Sequence, residues 1–178
     1  IAPYFPSCAH IMPELGRTLK VQSSYNNASL TVTGALPAFA EIRSIDVAQG
    51  RFYSQKDCDE ARPVVFLGSD AKKQLFADRN ALGETMTLNG LPYIVIGVMQ
   101  AKDQDSSYDG EDVRKVFIPF PRMITDFPEP PPAIPDDIDR LLVSARSFDD
   151  HLECKRQLRE SLARLYDCDP KDEDALYI

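Results

Sequence analysis

The chain has 178 residues, with 43% hydrophobic and 27% charged, which is ordinary for a globular protein of one domain or two small lobes. Its net charge is -8 and its isoelectric point is near 4.8, so nucleic acid and anionic membrane surfaces are disfavoured as partners. No apolar run approaches the roughly 20 residues that cross a bilayer, and the first residues do not have the pattern expected of a signal peptide.

The first half of the chain predicts strands and one short helix. Alternating apolar residues in 18–36 predict two strands joined by a turn at Tyr25-Asn26-Asn27. The continuous apolar run at 63–68 is typical of a strand that is covered on both faces. Ser69-Asp70 suits a helix start, and we expect a short helix at 71–76 with its last two residues, leucine and phenylalanine, turned inward.

The next segment contains a predicted hairpin, a strand and a connector. Residues 83–99 predict two strands around an Asn89-Gly90 turn, a dipeptide that favours tight hairpins. A polar loop and a strand at Val116 to Ile118 follow. The proline-rich segment 126–137 cannot form a helix or an interior strand, so we expect a stiff extended connector.

The last segment predicts a strand-helix-strand unit. A strand is expected within 139–147, a long helix from Ser147, and a closing strand at 175–178. Ser147 is a suitable cap, and acidic residues in the first turn would meet the positive end of the helix. Four leucines are expected to share one broad apolar face of this helix. They are Leu152, Leu158, Leu162 and Leu165.

The cysteines favour neither zinc binding nor a particular disulfide. They are Cys8, Cys58, Cys154 and Cys168. None forms a C-x-x-C pair, and His10 and His151 are not grouped with them, so a zinc site is disfavoured. The even number permits disulfides in an oxidising compartment. Helical rise would separate Cys154 from Cys168 by about 20 Å, beyond the roughly 7 Å limit for bridged Cα atoms, so these two should not pair. Whether Cys8 or Cys58 joins either one is open.

The strand, glycine and helix around Gly68 resemble the outline of a phosphate-binding unit. A phosphate cradle requires several glycines at fixed spacing, and only one is present here. Asp70 at the helix start would also repel an anion. We therefore interpret Gly68 as a turn residue and expect no nucleotide binding. No nucleophile-elbow pattern is present either. The sequence predicts no catalytic, cofactor-binding or metal-binding residues.

Four weaker patterns have a functional and a structural interpretation. His151, beside acidic residues, is a solvated helix start rather than a general base. The acidic loop at 102–112 lacks the spacing of a calcium loop, which favours a mobile polar loop. The acidic segment 167–175 is interpreted as a solvated turn. The proline run could dock in an aromatic groove, but a rigid linker is the preferred interpretation.

Several short segments occur in an order and spacing that resemble one family. They are Gly50-Arg51-Phe52, the strand at 64–68, Leu75-Phe76, Leu82-Gly83, Asn89-Gly90 with the following YIVIGV, and Ile118-Pro119. Together they resemble the MacB-type periplasmic core domain of ABC transporter permeases, which is also found in FtsX-like permeases. The similarity covers most of the chain, although no single motif is specific. The family's usual opening strand and helix are shortened or absent here.

The resemblance implies an α+β fold with two lobes. A porter-like lobe of strand-helix-strand units would comprise residues 1–50 and 138–178, and an inserted small α/β lobe would comprise 51–137. The connectors near Gly50 and at 128–135 would let the lobes move against each other. The chain starts at Ile1 without a methionine, so we expect it to be a piece of a larger protein.

The resemblance also implies a mechanical role outside the cytoplasmic membrane, on its periplasmic or extracellular side. Flanking membrane helices would anchor the domain in a dimeric permease. ATP would be hydrolysed in a separate cytoplasmic domain or subunit, and the resulting movement would reach a substrate, a periplasmic adaptor protein or a lipoprotein. The alternatives are a stand-alone cell-surface binding or adhesion module and an unrecognised hydrolase. The sequence does not distinguish export, lipoprotein release and activation of a cell-wall hydrolase.

Overall fold

The computed structural model describes residues 5–102, 110–128 and 138–172, which form eight strands in one sheet and five α-helices. The strands are β1 (Cys8–Gln22), β2 (Asn27–Ala35), β3 (Val47–Gly50), β4 (Val64–Leu67), β5 (Thr85–Leu88), β6 (Leu91–Met99), β7 (Val116–Pro119) and β8 (Arg140–Ala145). The helices are α1 (Phe39–Ile42), α2 (Gln55–Asp59), α3 (Ser69–Phe76), α4 (Phe120–Asp126) and α5 (His151–Tyr166). The predicted α+β class is confirmed.

The chain divides into two compact units. Unit 1 joins Ile1–Met12 to Leu141–Ile178, and unit 2 is Pro13–Arg140. Residues 13–50, which the sequence analysis placed in the porter-like lobe, therefore lie in the same unit as residues 51–140. The chain passes from one unit to the other within β1 and again within β8. The assignment of 1–50 with 138–178 and of 51–137 to two functional lobes stays a prediction.

The strands of unit 2 form a closed ring. Around the ring, β1 pairs with β2, β2 with β7, β7 with β4, β4 with β6, β6 with β5, and β5 with β1. The β2–β7 and β4–β6 pairs are parallel, and the other four are antiparallel. β3 pairs with β6 outside the ring. Ring closure gives each of these six strands partners on both edges, which removes the open edges of an ordinary sheet.

Unit 2 contains a large hydrophobic cluster. The strands of the ring contribute alternate residues to it, and α3 contributes both residues that the sequence predicted to turn inward, Leu75 and Phe76. These two side chains have no exposed surface. Burial of apolar surface on this scale is the main source of stability in a small domain.

The predicted hairpin is confirmed as β5 and β6 with an Asn89-Gly90 turn. Both turn residues have positive φ angles, 46° and 89°, which asparagine and glycine adopt at the lowest cost. The Asn89 side chain also accepts a hydrogen bond from the Lys20 amide at 2.8 Å, and the Asn89 amide donates to the Lys20 carbonyl at 2.8 Å. The turn thus fastens the hairpin to β1 as well as reversing the chain.

Unit 1 contains the start of β1, most of β8, and α5. The helix begins at His151, not at the predicted Ser147. The Ser147 hydroxyl donates to the Asp150 carboxylate at 2.7 Å and accepts from the Asp150 amide at 3.2 Å. This local bonding closes a separate turn ahead of the helix, because short polar side chains compete with helical hydrogen bonding. Asp150 is the residue that precedes the helix.

The predicted leucine face of α5 is partly wrong. Leu158 is buried, whereas Leu152 is 75% exposed and Leu165 is 73% exposed. At about 100° per residue, Leu152 lies roughly 120° around the helix from Leu158, so the two cannot share one contact surface. The buried residues of the helix are instead Cys154, Leu158 and Ala163.

Some predictions fall on residues outside the described part of the chain. These are the closing strand at 175–178, most of the proline connector and the central part of the acidic loop. Within the described residues the longest helix is α5, with 16 residues, and no helix is both long and apolar enough to span a bilayer.

Candidate functional site

The backbone of unit 2 itself fills the space beside Gly68. The Gly68 amide donates to the Lys115 carbonyl at 2.9 Å. A Cβ atom at this position would lie 2.3 Å from the carbonyl oxygen of Val113 and 2.6 Å from that of Asp112. Carbonyl oxygens repel a phosphate, and their approach explains why glycine stands before α3. The residue therefore mediates close packing of the chain.

A buried carboxylate anchors the segment that leads from β3 into α2. Asp57 has no exposed surface, and it accepts two hydrogen bonds from the Arg51 guanidinium, at 2.6 and 3.1 Å. Arg62 approaches the same carboxylate at 3.4 Å. The Ser54 amide and hydroxyl each donate to it at 2.7 Å, and Ser54 also caps α2 in a capping box.

The electrostatics of this anchor favour the charged form of Asp57. The hydrogen bond from Arg51 is the largest influence, and together with the Ser54 bonds it holds the pKa of the Asp57 carboxyl well below its usual range. Burial acts in the opposite direction but is outweighed. In turn, Asp57 raises the pKa of Arg51. A fully satisfied carboxylate of this kind has a structural role, because no lone pair faces an open cavity.

A second buried carboxylate lies at the end of the acidic loop. Asp112 has no exposed surface and accepts from Arg43 at 3.2 and 3.3 Å and from Lys102 at 3.1 Å. Lys102 also donates to the Arg43 carbonyl at 2.7 Å. These bonds join the two ends of the acidic loop and use Asp112 for a structural ion pair. Residues 103–109 of the loop lie outside the described part of the chain.

Unit 1 contains a disulfide between Cys8 and Cys154. The sulfur atoms are 2.08 Å apart, the Cα atoms are 5.2 Å apart, and the sequence separation is 146 residues. Both residues are buried. Cys58 and Cys168 are free thiols. The prediction that Cys154 and Cys168 do not pair is confirmed. The sequence left the partner of Cys8 open, because residues so distant in sequence carry no local signal of their contact.

A cavity of about 160 Å³ lies between β8 and α5 in unit 1. Its floor is formed by Val143, Ala145 and Leu158, together with Cys154 of the disulfide. His151 and Lys155, one helical turn apart, lie at its rim and are exposed. His151, interpreted from the sequence as a solvated helix start, is exposed as expected, and it also lines this cavity together with Cys154.

The four most exposed large apolar side chains among the described residues belong to unit 1. Phe148, in the turn before α5, is 96% exposed, and Leu152 is 75% exposed in the first helical turn. At the other end of α5, Leu165 and Tyr166 are 73% and 68% exposed. Apolar surface of this extent on a helix of a small unit is typical of a contact surface for another protein.

The described residues hold no group of three or more His, Cys, Asp or Glu side chains that could ligate a metal ion. Of the acidic segment 167–175, the described part forms a hydrogen-bonded turn in which the Lys171 amide donates to Asp169 at 2.9 Å. The candidate site is therefore the surface of unit 1 around the β8–α5 cavity. The sequence offered one signal for it, the alternation of apolar and charged residues in α5, and none for its disulfide.

Comparisons with known proteins agree on one family. The sequence model of the MacB-like periplasmic core domain matches residues 2–161. The macrolide export ATP-binding/permease protein MacB of Vibrio parahaemolyticus is 26% identical over 118 residues, which is 66% of this chain and 18% of that protein. The pyoverdine export ATP-binding/permease protein PvdT of Pseudomonas aeruginosa is 30% identical over 115 residues, 65% of this chain and 17% of that protein. The matched segments span less than a fifth of these relatives.

Solved structures share the fold. The periplasmic region of MacB from Actinobacillus actinomycetemcomitans superimposes with a TM-score of 0.76 at 20% identity, covering 91% of this chain and 69% of that one. The extracellular domain of the ABC-type transporter YknZ from Gram-positive bacteria gives 0.76 at 16% identity, covering 93% and 80%. At this level of identity the likeness concerns architecture only.

Proposed function

The chain belongs to the family of MacB-like periplasmic core domains, and we propose that it works as the extracytoplasmic domain of an ABC transporter permease. In this proposal ATP is hydrolysed in a separate cytoplasmic domain or subunit. The domain passes the resulting movement of the membrane helices to a substrate, an adaptor protein or a lipoprotein outside the membrane. The single observation that carries the proposal is the family match over residues 2–161.

The arrangement of the chain supports a mechanical role. Unit 1 is built from residues 1–12 and 141–178. A force transmitted through either of these segments would therefore act on the same small unit. The buried carboxylates Asp57 and Asp112 of unit 2 are used in ion pairs that hold the fold. A domain that moves partners needs a firm body and a contact surface more than it needs a reactive group.

We assign the partner contact to the exposed apolar residues of unit 1. Phe148 and Leu152 flank the start of α5, and such side chains gain most from being covered by another protein. Acidic neighbours, among them Asp149 and Asp150, keep this surface soluble when it is uncovered. Movement of the two predicted lobes about the connectors near Gly50 and at 128–135 stays a prediction.

The test uses the full-length permease, reconstituted in vesicles with its ATPase. In one variant, residues 1–178 are replaced by a short Gly-Ser linker. In a second, Phe148 is changed to Asp, with Lys171→Asp as a matched control at an exposed position that is not apolar. We expect the linker variant to hydrolyse ATP and to lose transport. The Phe148→Asp variant should bind its partner at least about tenfold more weakly, whereas the control is unchanged.

Transport at the normal rate without residues 1–178 would overturn the proposed coupling. Unchanged partner binding by Phe148→Asp would leave the coupling standing and refute only the assigned surface. ATP hydrolysis by the isolated chain would contradict the separate location of the ATPase.

A further inference from the structure

The disulfide of unit 1 borders a cavity that opens to solvent. Cys8 and Cys154 are only 3% and 2% exposed, so their direct surface is minimal. Cys154 nevertheless lines the cavity between β8 and α5. Its volume of about 160 Å³ has room for several water molecules, and therefore for a thiol group. The cavity therefore brings solvent next to Cys154 in the folded unit.

The surroundings of Cys154 favour a thiolate. The residue lies in the first turn of α5, near the positive end of the helix. Lys155 and His151 line the same cavity, and Lys155 has no carboxylate partner among the described residues. The nearest acids are engaged elsewhere: Glu153 accepts from Arg156 at 2.6 and 2.8 Å, and Asp150 accepts from the Ser147 hydroxyl. Asp149 is the remaining acidic neighbour in the chain.

We propose that Cys154 is a thiol–disulfide exchange site, reached through the β8–α5 cavity in the folded protein by a dithiol reductant. A thiolate of the dithiol attacks Sγ of Cys154, a new S–S bond forms, and Sγ of Cys8 leaves as a thiolate that takes a proton from water. The second thiolate of the dithiol then attacks its own partner sulfur and releases the Cys154 thiolate. Two electrons pass to the protein, and the dithiol becomes a cyclic disulfide.

Non-covalent contacts also join the two chain segments of unit 1. The Ser7 carbonyl accepts from the Arg146 amide at 3.1 Å, and Ser7 also contacts Gln157 through two bonds of 3.4 Å. The His10 ring lies 3.2 Å from the Ser144 hydroxyl. These contacts link the first strand to β8 and α5 independently of the disulfide, although unit 1 is less stable without it.

The two free thiols are poor substitutes for this site. Burial, the largest influence, raises the pKa of the Cys58 thiol to about 11, so it is protonated at neutral pH. Cys168 lies just after the C-terminal end of α5. That end of a helix carries partial negative charge, so it favours cations and disfavours a thiolate. Thiol exchange at Cys154, and not at Cys58 or Cys168, thus follows from the position of Cys154 in the fold.

The experiment follows reduction of the oxidised 178-residue chain by dithiothreitol, with the free thiols counted over time in native buffer. We expect a rate that rises in proportion to dithiothreitol concentration without a plateau. Ala145→Leu, which fills the cavity, should slow reduction at least about tenfold by blocking access. Lys155→Gln should slow it about threefold through loss of the nearby positive charge, whereas the matched control Lys171→Gln should match the wild type.

Unfolding of unit 1 by urea is measured for each variant in parallel. A rate that reaches a plateau at the opening rate of unit 1 would show that reduction requires unfolding, and would overturn the proposal. So would equal rates for wild type and a stably folded Ala145→Leu. If Ala145→Leu does not fold, the concentration dependence and the Lys155→Gln comparison decide the question. The concentration dependence and the variant comparisons test thiol exchange alone, so their results do not depend on the proposed role in transport.

Discussion

The two units of this protein are held together in different ways. Unit 2 has a closed ring of six strands around one large apolar cluster. Unit 1 has a helix, parts of two strands and few buried apolar side chains, with a disulfide joining its two chain segments. The cluster of unit 2 contains none of the buried residues of unit 1. Small units that cannot bury enough apolar surface commonly depend on a covalent link.

The difference shows how one fold can be firm in one part and adjustable in another. A closed ring distributes its hydrogen bonds among six strands, so no single contact decides its stability. A unit joined from two distant chain segments loses more when one link is removed, because the only other covalent connection between the segments runs through the chain of unit 2. Regions of lower local stability are the ones that proteins use for binding and switching. Unit 1 also carries the four most exposed large apolar side chains of the described residues.

Removing the disulfide should produce the largest and most local effect. We expect Cys8→Ala with Cys154→Ala to destabilise unit 1 by about 3–4 kcal/mol, because with unit 2 folded the flexible loop that the bridge closes is only the roughly 20 residues of unit 1 between the two cysteines. Unit 2 should unfold at its original denaturant concentration. Urea unfolding followed by region-resolved proteolysis measures both. Cys168→Ala is the matched control and should change neither unit. Equal destabilisation of both units would contradict the inference that the disulfide stabilises unit 1 specifically.

Breaking the Asp57 anchor should destabilise unit 2 and leave unit 1 unchanged. Asp57→Asn leaves Arg51 and Arg62 without their buried partner, so we expect unit 2 to lose about 3 kcal/mol while unit 1 is unaffected. The exposed control Asp59→Asn should cost less than about 0.5 kcal/mol. Urea denaturation at pH 7 gives the values. A loss equal to that of the control would mean that the ion pair does not anchor unit 2.

The same carboxylate predicts a pH dependence for unit 2. The folded pKa of Asp57 lies below its unfolded value, so the charged form stabilises the fold. This contribution is fully present above the unfolded pKa of about 4 and is lost as the pH falls through the folded value. We expect Asp57→Asn to flatten the fall in unit 2 stability between about pH 4 and pH 2.

Crowding at Gly68 should destabilise unit 2 by a smaller amount. A Cβ atom would meet the Val113 carbonyl oxygen at 2.3 Å, and a backbone atom cannot turn aside as a flexible side chain can. We expect Gly68→Ala to cost about 2 kcal/mol. Gly83→Ala has open space but a positive φ, and should cost about 1 kcal/mol from backbone strain alone. Thermal unfolding that ranks Gly83→Ala as the worse variant would refute the packing role of Gly68.

The exposed ion pairs on α5 should contribute nothing measurable to the stability of unit 1. Arg156 contacts Glu153 and Glu160, and hydrogen bonds from Arg156 and Gln157 lower the pKa of Glu153 to about 2. These groups are on the solvent side, where water screens the attraction. We expect Arg156→Gln to leave the melting temperature of the chain unchanged. A clear fall would mean that surface charge, and not the disulfide, holds unit 1.

Local features of the fold could be predicted from the sequence, and distant ones could not. The Asn89-Gly90 hairpin follows from two residues with the right backbone preferences. The closure of the ring depends on β2 meeting β7, about 80 residues later, and no local pattern reports that contact. At α5 the sequence predicted a helix start at Ser147, but the helix begins at His151. A serine hydroxyl can either cap a helix or close a separate turn, and the sequence does not distinguish these two roles.

The same limit applies to the candidate site. The sequence predicted no site residues, and the cavity exists only because β8 and α5 come together. The order of the motifs did predict the family, since glycines and turns keep their spacing in a shared fold. The Asp57 anchor had a weak signal in the Ser54 capping pattern, which a search for Ser-x-x-Asp would have found.

Hydrogen exchange of the whole chain, with and without dithiothreitol at neutral pH, tests the central claim most directly. We predict that reduction increases exchange in residues 5–12 and in β8 and α5, while the strands of the unit 2 ring keep their protection. The wild type, Cys168→Ala and the double alanine variant would be compared under one condition, and the last should match the reduced wild type. Equal loss of protection in both units, or none in α5, would contradict the account.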